Sequence, residues 1–308
     1  MDGAVQLFLH PLKCTIMGYG KWSNSTYNAY QKRYAGKSRD QLFTANHHRR
    51  IDPALDPFRL GKRESRDSDD HPNSLAIGLF LDVTGSMGMV PEDLVRNQLG
   101  ALMDTMIKAG VDDPQIMFSA IGDQYSDRAP LQVGQFESST ELINEALKKL
   151  FLEGGGGGSG EESYQLAWHV AANHTSIDCF EKRGKKGFLF TVGDERSHHI
   201  AEGELLSRLY GYERTPANRS AAELLAKAQE QYHVFHIHIN STGYRNNKNV
   251  FGYWKELLGK RFIPLDDHTK LGELIANIVA VVSQAESTDT LTAGKKSWPY
   301  GEDEATIL

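Results

Sequence analysis

SLAIGLFLDVTGSMG, residues 74–88 of the 308-residue chain, is the segment from which the rest can be read. Its first half, Leu75 to Leu81, is apolar at every position, with no polar alternation. A strand of that kind is buried on both faces, as in a parallel sheet covered by helices. The run ends at Asp82, and oxygen-bearing side chains then recur at alternate positions, Thr84 and Ser86, giving D-x-T-x-S. One carboxylate and two hydroxyls are hard donors of the type Mg²⁺ takes, at about 2.0–2.1 Å in octahedral geometry. Gly85 and Gly88 let the backbone turn tightly around such a point. In α/β sheets of this design, ligands sit outside the carboxyl ends of the strands, where this motif falls.

Two later segments belong beside it. Gly156, Gly157, Gly158, Ser159, Gly160, Glu161 and Glu162 form a glycine-rich loop with a hydroxyl inside it, and GFLFTVGD, residues 187–194, is a second buried strand ending in an acid, Asp194. A glycine run is often a linker, but a linker here would leave the Asp82 and Asp194 strands in different domains. Taken in order, the three segments resemble the metal-ion-dependent adhesion site of von Willebrand factor A (vWA) domains. That family usually carries D-x-S-x-S, so Thr84 replaces the first serine. The resemblance covers residues 74–284 and implies a site of Asp82, Thr84, Ser86, Ser159 and Asp194 around Mg²⁺ or Mn²⁺, with Ser163 the nearest alternative to Ser159. It further implies an open coordination position filled by an Asp or Glu from a protein partner, hence a binding module and not an enzyme. Intracellular bacterial and phage members are often adaptors for AAA+ ATPases of the MoxR type, and that is the partner expected. The alternatives are a metal-dependent hydrolase and a structural subunit with an idle site.

Beyond Pro91 the chain alternates helical and extended patterns. Pro91, Glu92 and Asp93 suit a helix start, with acids at the positive end of its dipole, and Leu94, Val95, Leu99, Leu102, Met103, Met106 and Ile107 make its buried stripe up to Gly110. Strands are expected at 115–121, 187–192, 233–239 and 261–265, with a short edge strand at 131–136. Helices are expected from Ser139 to near Phe151 and at 162–172, 201–209, 220–231, 251–258 and 271–284. Alternation of this kind predicts an α/β fold: a doubly wound, mostly parallel, Rossmann-like sheet with helices on both faces. Residues 1–73 are net positive within a chain of formal charge −6 and read as an arm, extended or partly helical. Residues 285–308 read as a loose polar tail.

Asp123, in Ile121-Gly122-Asp123-Gln124, follows a strand on the same side as Asp82. It is either a group that orients a metal-bound water or a turn-forming Asp. His198 lies past a strand's carboxyl end, on the binding face, whereas His233, His236 and His238 read as strand histidines satisfied by sheet neighbours. The tetrapeptide Ala35-Gly36-Lys37-Ser38 lacks both the first glycine and the leading strand of a phosphate-binding loop, and Thr84 spoils the nucleophile elbow that Ser86 would need. The acidic balance argues against nucleic acid. Cys14 and Cys179 imply neither a disulfide framework nor a thiolate site, and no apolar run is long enough to span a membrane. The expected setting is cytoplasmic.

Overall fold

The computed structural model describes residues 20–85, 87–155 and 160–291. Its centre is a sheet of five parallel strands, β1 (Leu75–Asp82), β2 (Pro114–Ile121), β3 (Gly187–Gly193), β4 (Tyr232–Ile239) and β5 (Phe262–Leu265). They lie in the order β5-β4-β3-β1-β2, and the short segments Leu131–Gln132 and Phe136–Glu137 pair antiparallel with β2. The unbroken apolar run of β1 is explained by its place between β2 and β3. Ile77, Leu79 and Leu81 enter one helical layer, while Ala76 and Phe80 enter the other.

Eight longer helices cover the sheet: α1 (Asn24–Tyr34), α2 (Leu99–Lys108), α3 (Thr140–Lys148), α4 (Tyr164–Asn173), α5 (Gly203–Tyr210), α6 (Ala221–Gln231), α7 (Lys248–Leu258) and α8 (Leu271–Leu291). The layer with Leu79 contains Leu102 and Met106 of α2, Ile143 and Leu147 of α3, and Ile275 and Val279 of α8. Trp168 of α4, Leu206 of α5, Leu225 of α6 and Trp254 of α7 fill the opposite layer. The architecture is therefore the expected α/β one, a mostly parallel sheet between helices.

Several boundaries depart from the sequence reading for local reasons. The helix expected at Pro91 begins at Met89, and its middle, Leu94–Gln98, is wound as a π-helix before α2 continues it. Gln98 is buried there and bonds the chain before α8, accepting from the Gly272 amide (2.7 Å) and donating to the His268 carbonyl (2.9 Å). The edge strand at 131–136 splits because Gly134 turns its amide to the Ser119 hydroxyl, 3.2 Å away. Glu161–Glu162 is not the start of a helix but a short parallel pairing with Arg196–Ser197, and α4 begins at Tyr164. α8 runs on to Leu291, into the stretch read as tail.

Residues 20–73 are woven into the core. Tyr27 and Tyr34 of α1, with Leu42, Phe43 and Leu55, join the layer under β1. The Tyr27 ring lies so close to Gly100 that a Cβ there would fall 2.6 Å from it. The Gln31 amide donates to the Arg96 carbonyl (2.8 Å), and Arg96 Nη1 donates to the Tyr34 carbonyl (2.9 Å). Arg63–Ser65 adds a parallel pairing with Thr175–Ile177, and Arg66 binds Asp178 (2.8 Å) and Glu181 (2.7 Å) beside it.

Candidate functional site at the carboxyl ends of strands β1 and β3

The strand order reverses between β1 and β3: the chain leaves β1 for β2 on one side and later returns to β3 on the other. A crevice at such a reversal is where α/β sheets hold ligands. Asp82 ends β1 and Asp194 follows β3, so the two carboxylates flank that point, both essentially without solvent exposure. Asp82 Oδ1 accepts the Thr84 amide (2.9 Å) and the Thr84 hydroxyl (2.6 Å), and its Oδ2 accepts the Tyr164 hydroxyl (3.0 Å). All three donors are neutral. Gly193 makes the last contact possible, since a Cβ on it would lie 1.7 Å from Tyr164 Oη and 3.0 Å from Asp82 Oδ2. The Gly85 amide donates to the Gly155 carbonyl, which brings the chain leading into the glycine run against the D-x-T-x-S turn. Ser86 and Ser159, two of the five expected donors, lie outside the described residues, as does Cys14.

Burial dominates the electrostatics. It pushes the Asp82 carboxyl up to about 7, opposed by the Thr84 hydroxyl and reinforced by the charge of Asp194. Glu162, also buried, is pushed up to about 11 by desolvation and then by Asp82, Glu195, Asp127 and Asp123. Glu195 is raised to about 7 by burial and by Asp194. Burial and the charge of Asp82 likewise hold the Tyr164 phenol well above its ordinary value, keeping it a donor.

Asp123 and His198 come together at the rim. His198 Nε2 is 2.8 Å from Asp123 Oδ1, and its Nδ1 is 3.2 Å from Glu161 Oε2, so both ring nitrogens face carboxylates. Asp123 also accepts the Tyr125 amide (3.2 Å) and the Ser126 hydroxyl (2.7 Å), the bonds of a turn-forming Asp. The strand histidines are internal: His236 Nδ1 meets Thr191 Oγ1 at 2.9 Å with its ring stacked on Trp254, and His233 Nε2 meets Glu286 at 2.7 Å.

The sequence reading missed Tyr164, Glu162 and Glu195. An adjacent pair of acids, Glu161 and Glu162, directly before a helix was the available signal.

Among the described residues, no three His, Cys, Asp or Glu side chains are gathered so as to hold a metal ion. The donors that fit a hard divalent cation are the Asp82 and Asp194 carboxylates with the Thr84 hydroxyl, a set of oxygens and not of nitrogen or sulfur. No helix among the described residues is long and apolar enough to cross a membrane. No family model matches the chain, and no curated protein matches it. Among solved structures, two of the pilus adhesin SpaC from Lactobacillus rhamnosus GG, one in an open conformation, are similar to 71% of this chain at 11% identity and a TM-score of 0.44. The chain spans under a third of that adhesin's length, 31% in one structure and 30% in the other.

Proposed function

We propose that this chain is a metal-dependent protein-recognition module of the vWA type, in which Asp82, Thr84 and Asp194, completed by Ser86 and Ser159, hold Mg²⁺ or Mn²⁺. The observation that carries the reading is the burial of two carboxylates on either side of the strand reversal, with Asp82 engaged, among the described residues, by neutral hydrogen-bond donors. A divalent cation would offset two buried acids, of which Asp194 otherwise raises the proton affinity of Asp82. When bound, it would supply a Lewis-acidic position able to take a carboxylate oxygen. The chain's own residues position the acids: Thr84 orients Oδ1 of Asp82, Tyr164 orients Oδ2, and Gly193 leaves room for both. The partner is a protein presenting an Asp or Glu, and an AAA+ ATPase of the MoxR type served by an adaptor is the specific form of the proposal. A catalytic role is less well supported, because both nitrogens of His198, the histidine nearest the rim acids, are already faced by carboxylates.

Calorimetric titration with Mg²⁺ and Mn²⁺ tests this directly. The wild type should bind and gain thermal stability, as a protein does with any ligand selective for its folded state. Asp82→Ala should do neither, and equal binding by both proteins would remove Asp82 from the site. Capture of the partner from native lysate should fail in EDTA and again with Asp194→Asn. Partners retained equally in EDTA would refute recruitment through the metal.

A further inference from the structure

The segment before α4 presents three potential ligands in succession, Glu161, Glu162 and Ser163, and two of them are already committed. Glu161 faces outward, where its carboxylate meets His198 at 3.2 Å and Arg196 at 3.4 Å. Ser163 is buried, with its hydroxyl oxygen accepting the Gln124 amide at 2.8 Å. Between them, the alternation of a strand turns Glu162 to the opposite side from Glu161. Its backbone is fixed by pairing with Ser197, shortly beyond Asp194, and its carbonyl accepts the His198 amide at 3.0 Å. The side chain is 2% exposed, and its Oε2 has no hydrogen-bond partner among the described residues. A carboxyl oxygen buried without a donor leaves its desolvation uncompensated, so it marks a place where something else is expected to bind.

That place adjoins the Asp82 site: Tyr164, two residues on, donates to Asp82 at 3.0 Å, and Ser197, the strand partner of Glu162, lies three residues past Asp194. Asp82 is the foremost charge acting on Glu162, and Glu162 in turn is among the charges acting on the buried Tyr164 phenol that holds Asp82. Among the described residues, the hydrogen bonds to Asp82 come from Thr84 and Tyr164, both neutral.

We propose that Glu162 is the chain's own occupant of the coordination position that a partner's carboxylate takes, so that recruitment proceeds by displacing an internal acid. This rests on the metal reading above. A bound ion would draw Glu162 in about its own side-chain torsions, which no bond to Oε2 opposes. With Glu162 inward, the loaded module meets a competing carboxylate only by exchanging one acid for another. An isolated carboxylate is then a poor ligand, and a partner has to add contact area around the crevice to win the exchange.

Water-proton relaxation of the Mn²⁺-loaded full chain tests the assignment without a partner. Glu162→Gln, nearly isosteric, should bind Mn²⁺ about tenfold more weakly and carry one more coordinated water than the wild type. Acetate should reduce that hydration in the variant at concentrations that leave the wild type unchanged. Glu162→Asp, which keeps the charge but shortens the reach, should show the same extra water and serves if the amide variant folds poorly. Wild-type affinity and hydration in both variants would overturn the role of Glu162 while leaving the metal site standing. A wild type that takes up no Mn²⁺ would overturn the metal reading and this inference with it.

Discussion

Gly193→Ala is the sharpest test of how the Asp82 site is built. The added Cβ would lie 1.7 Å from Tyr164 Oη and 2.7 Å from Tyr164 Cζ, far inside contact distance. The ring has nowhere to retreat: Tyr164 is fully buried, with its edge against His236 (centroids 5.0 Å apart) and Trp254 (5.5 Å). Overpacking a dense core costs about 1–3 kcal/mol. Pushing the phenol off Asp82 breaks a hydrogen bond to a charged group, about 1.5–3 kcal/mol more. The expected loss is about 3–5 kcal/mol, a large share of the 5–15 kcal/mol typical of folded domains. Urea unfolding of the metal-free protein should show it as a lower midpoint at unchanged slope. Because the hydroxyl is the atom most in the way, Gly193→Ala should cost about 1–2 kcal/mol less in a Tyr164→Phe background than alone. Strictly additive losses, or a Gly193→Ala protein as stable as the wild type, would refute the proposed contact.

In EDTA, the folded-state value of about 7 for Asp82 against an ordinary 3.8 means that its contribution is present below about pH 4 and lost as pH rises through 7. Asp82→Asn should therefore gain stability on the wild type across that interval, and urea midpoints that stay parallel would count against it. His169 and His174, held down to about 3 and about 4 by burial, share the Tyr212 hydroxyl at 3.3 and 2.7 Å. Their contribution is present above about pH 6.5 and lost as pH falls toward 4. The double variant His169→Gln, His174→Gln should accordingly lose less stability than the wild type between pH 7 and about 4.5. Arg66→Ala strips the buried Asp178 carboxylate of a 2.8 Å partner while Lys182 keeps its own at 2.6 Å. A loss of about 2 kcal/mol in the denaturation midpoint is expected, and none would show the pair to be idle.

What could be read from the sequence followed the strength of the local pattern. Leu75 to Leu81 and residues 187–192 are apolar without interruption, and a run of that kind has few places to go except the middle of a covered sheet. Asp82 and Asp194 were legible because each ends such a run. Glu162 was not, because Glu161-Glu162-Ser163 before an apolar stripe reads as a helix start, and only the pairing with Arg196–Ser197 reveals a strand whose second acid turns inward. Tyr164 looked like one more apolar position in α4; its hydroxyl acquires a role from Gly193, which lies far from it in sequence and beside it in space. Asp123 and His198 were separately placed on the binding face, but their contact depends on the register of two loops that no local signal carries. The arm reading of residues 20–73 missed the depth of packing because Tyr27, Tyr34, Leu42 and Phe43 follow no single period.

The Ser23 amide donates to the Thr140 hydroxyl at 2.6 Å, and Tyr27 packs on Gly100. For a chain made from its amino end, this reverses the order in which parts are made and in which they can settle. The helix Asn24–Tyr34 emerges from the ribosome well before the surface it covers, and the central strand waits through a long stretch of synthesis for β3, its neighbour on one side. Until then the growing polypeptide displays aromatic side chains and an unpaired strand edge, features that draw chaperones and invite aggregation. A message truncated ahead of Gly187 would release a fragment permanently in that state.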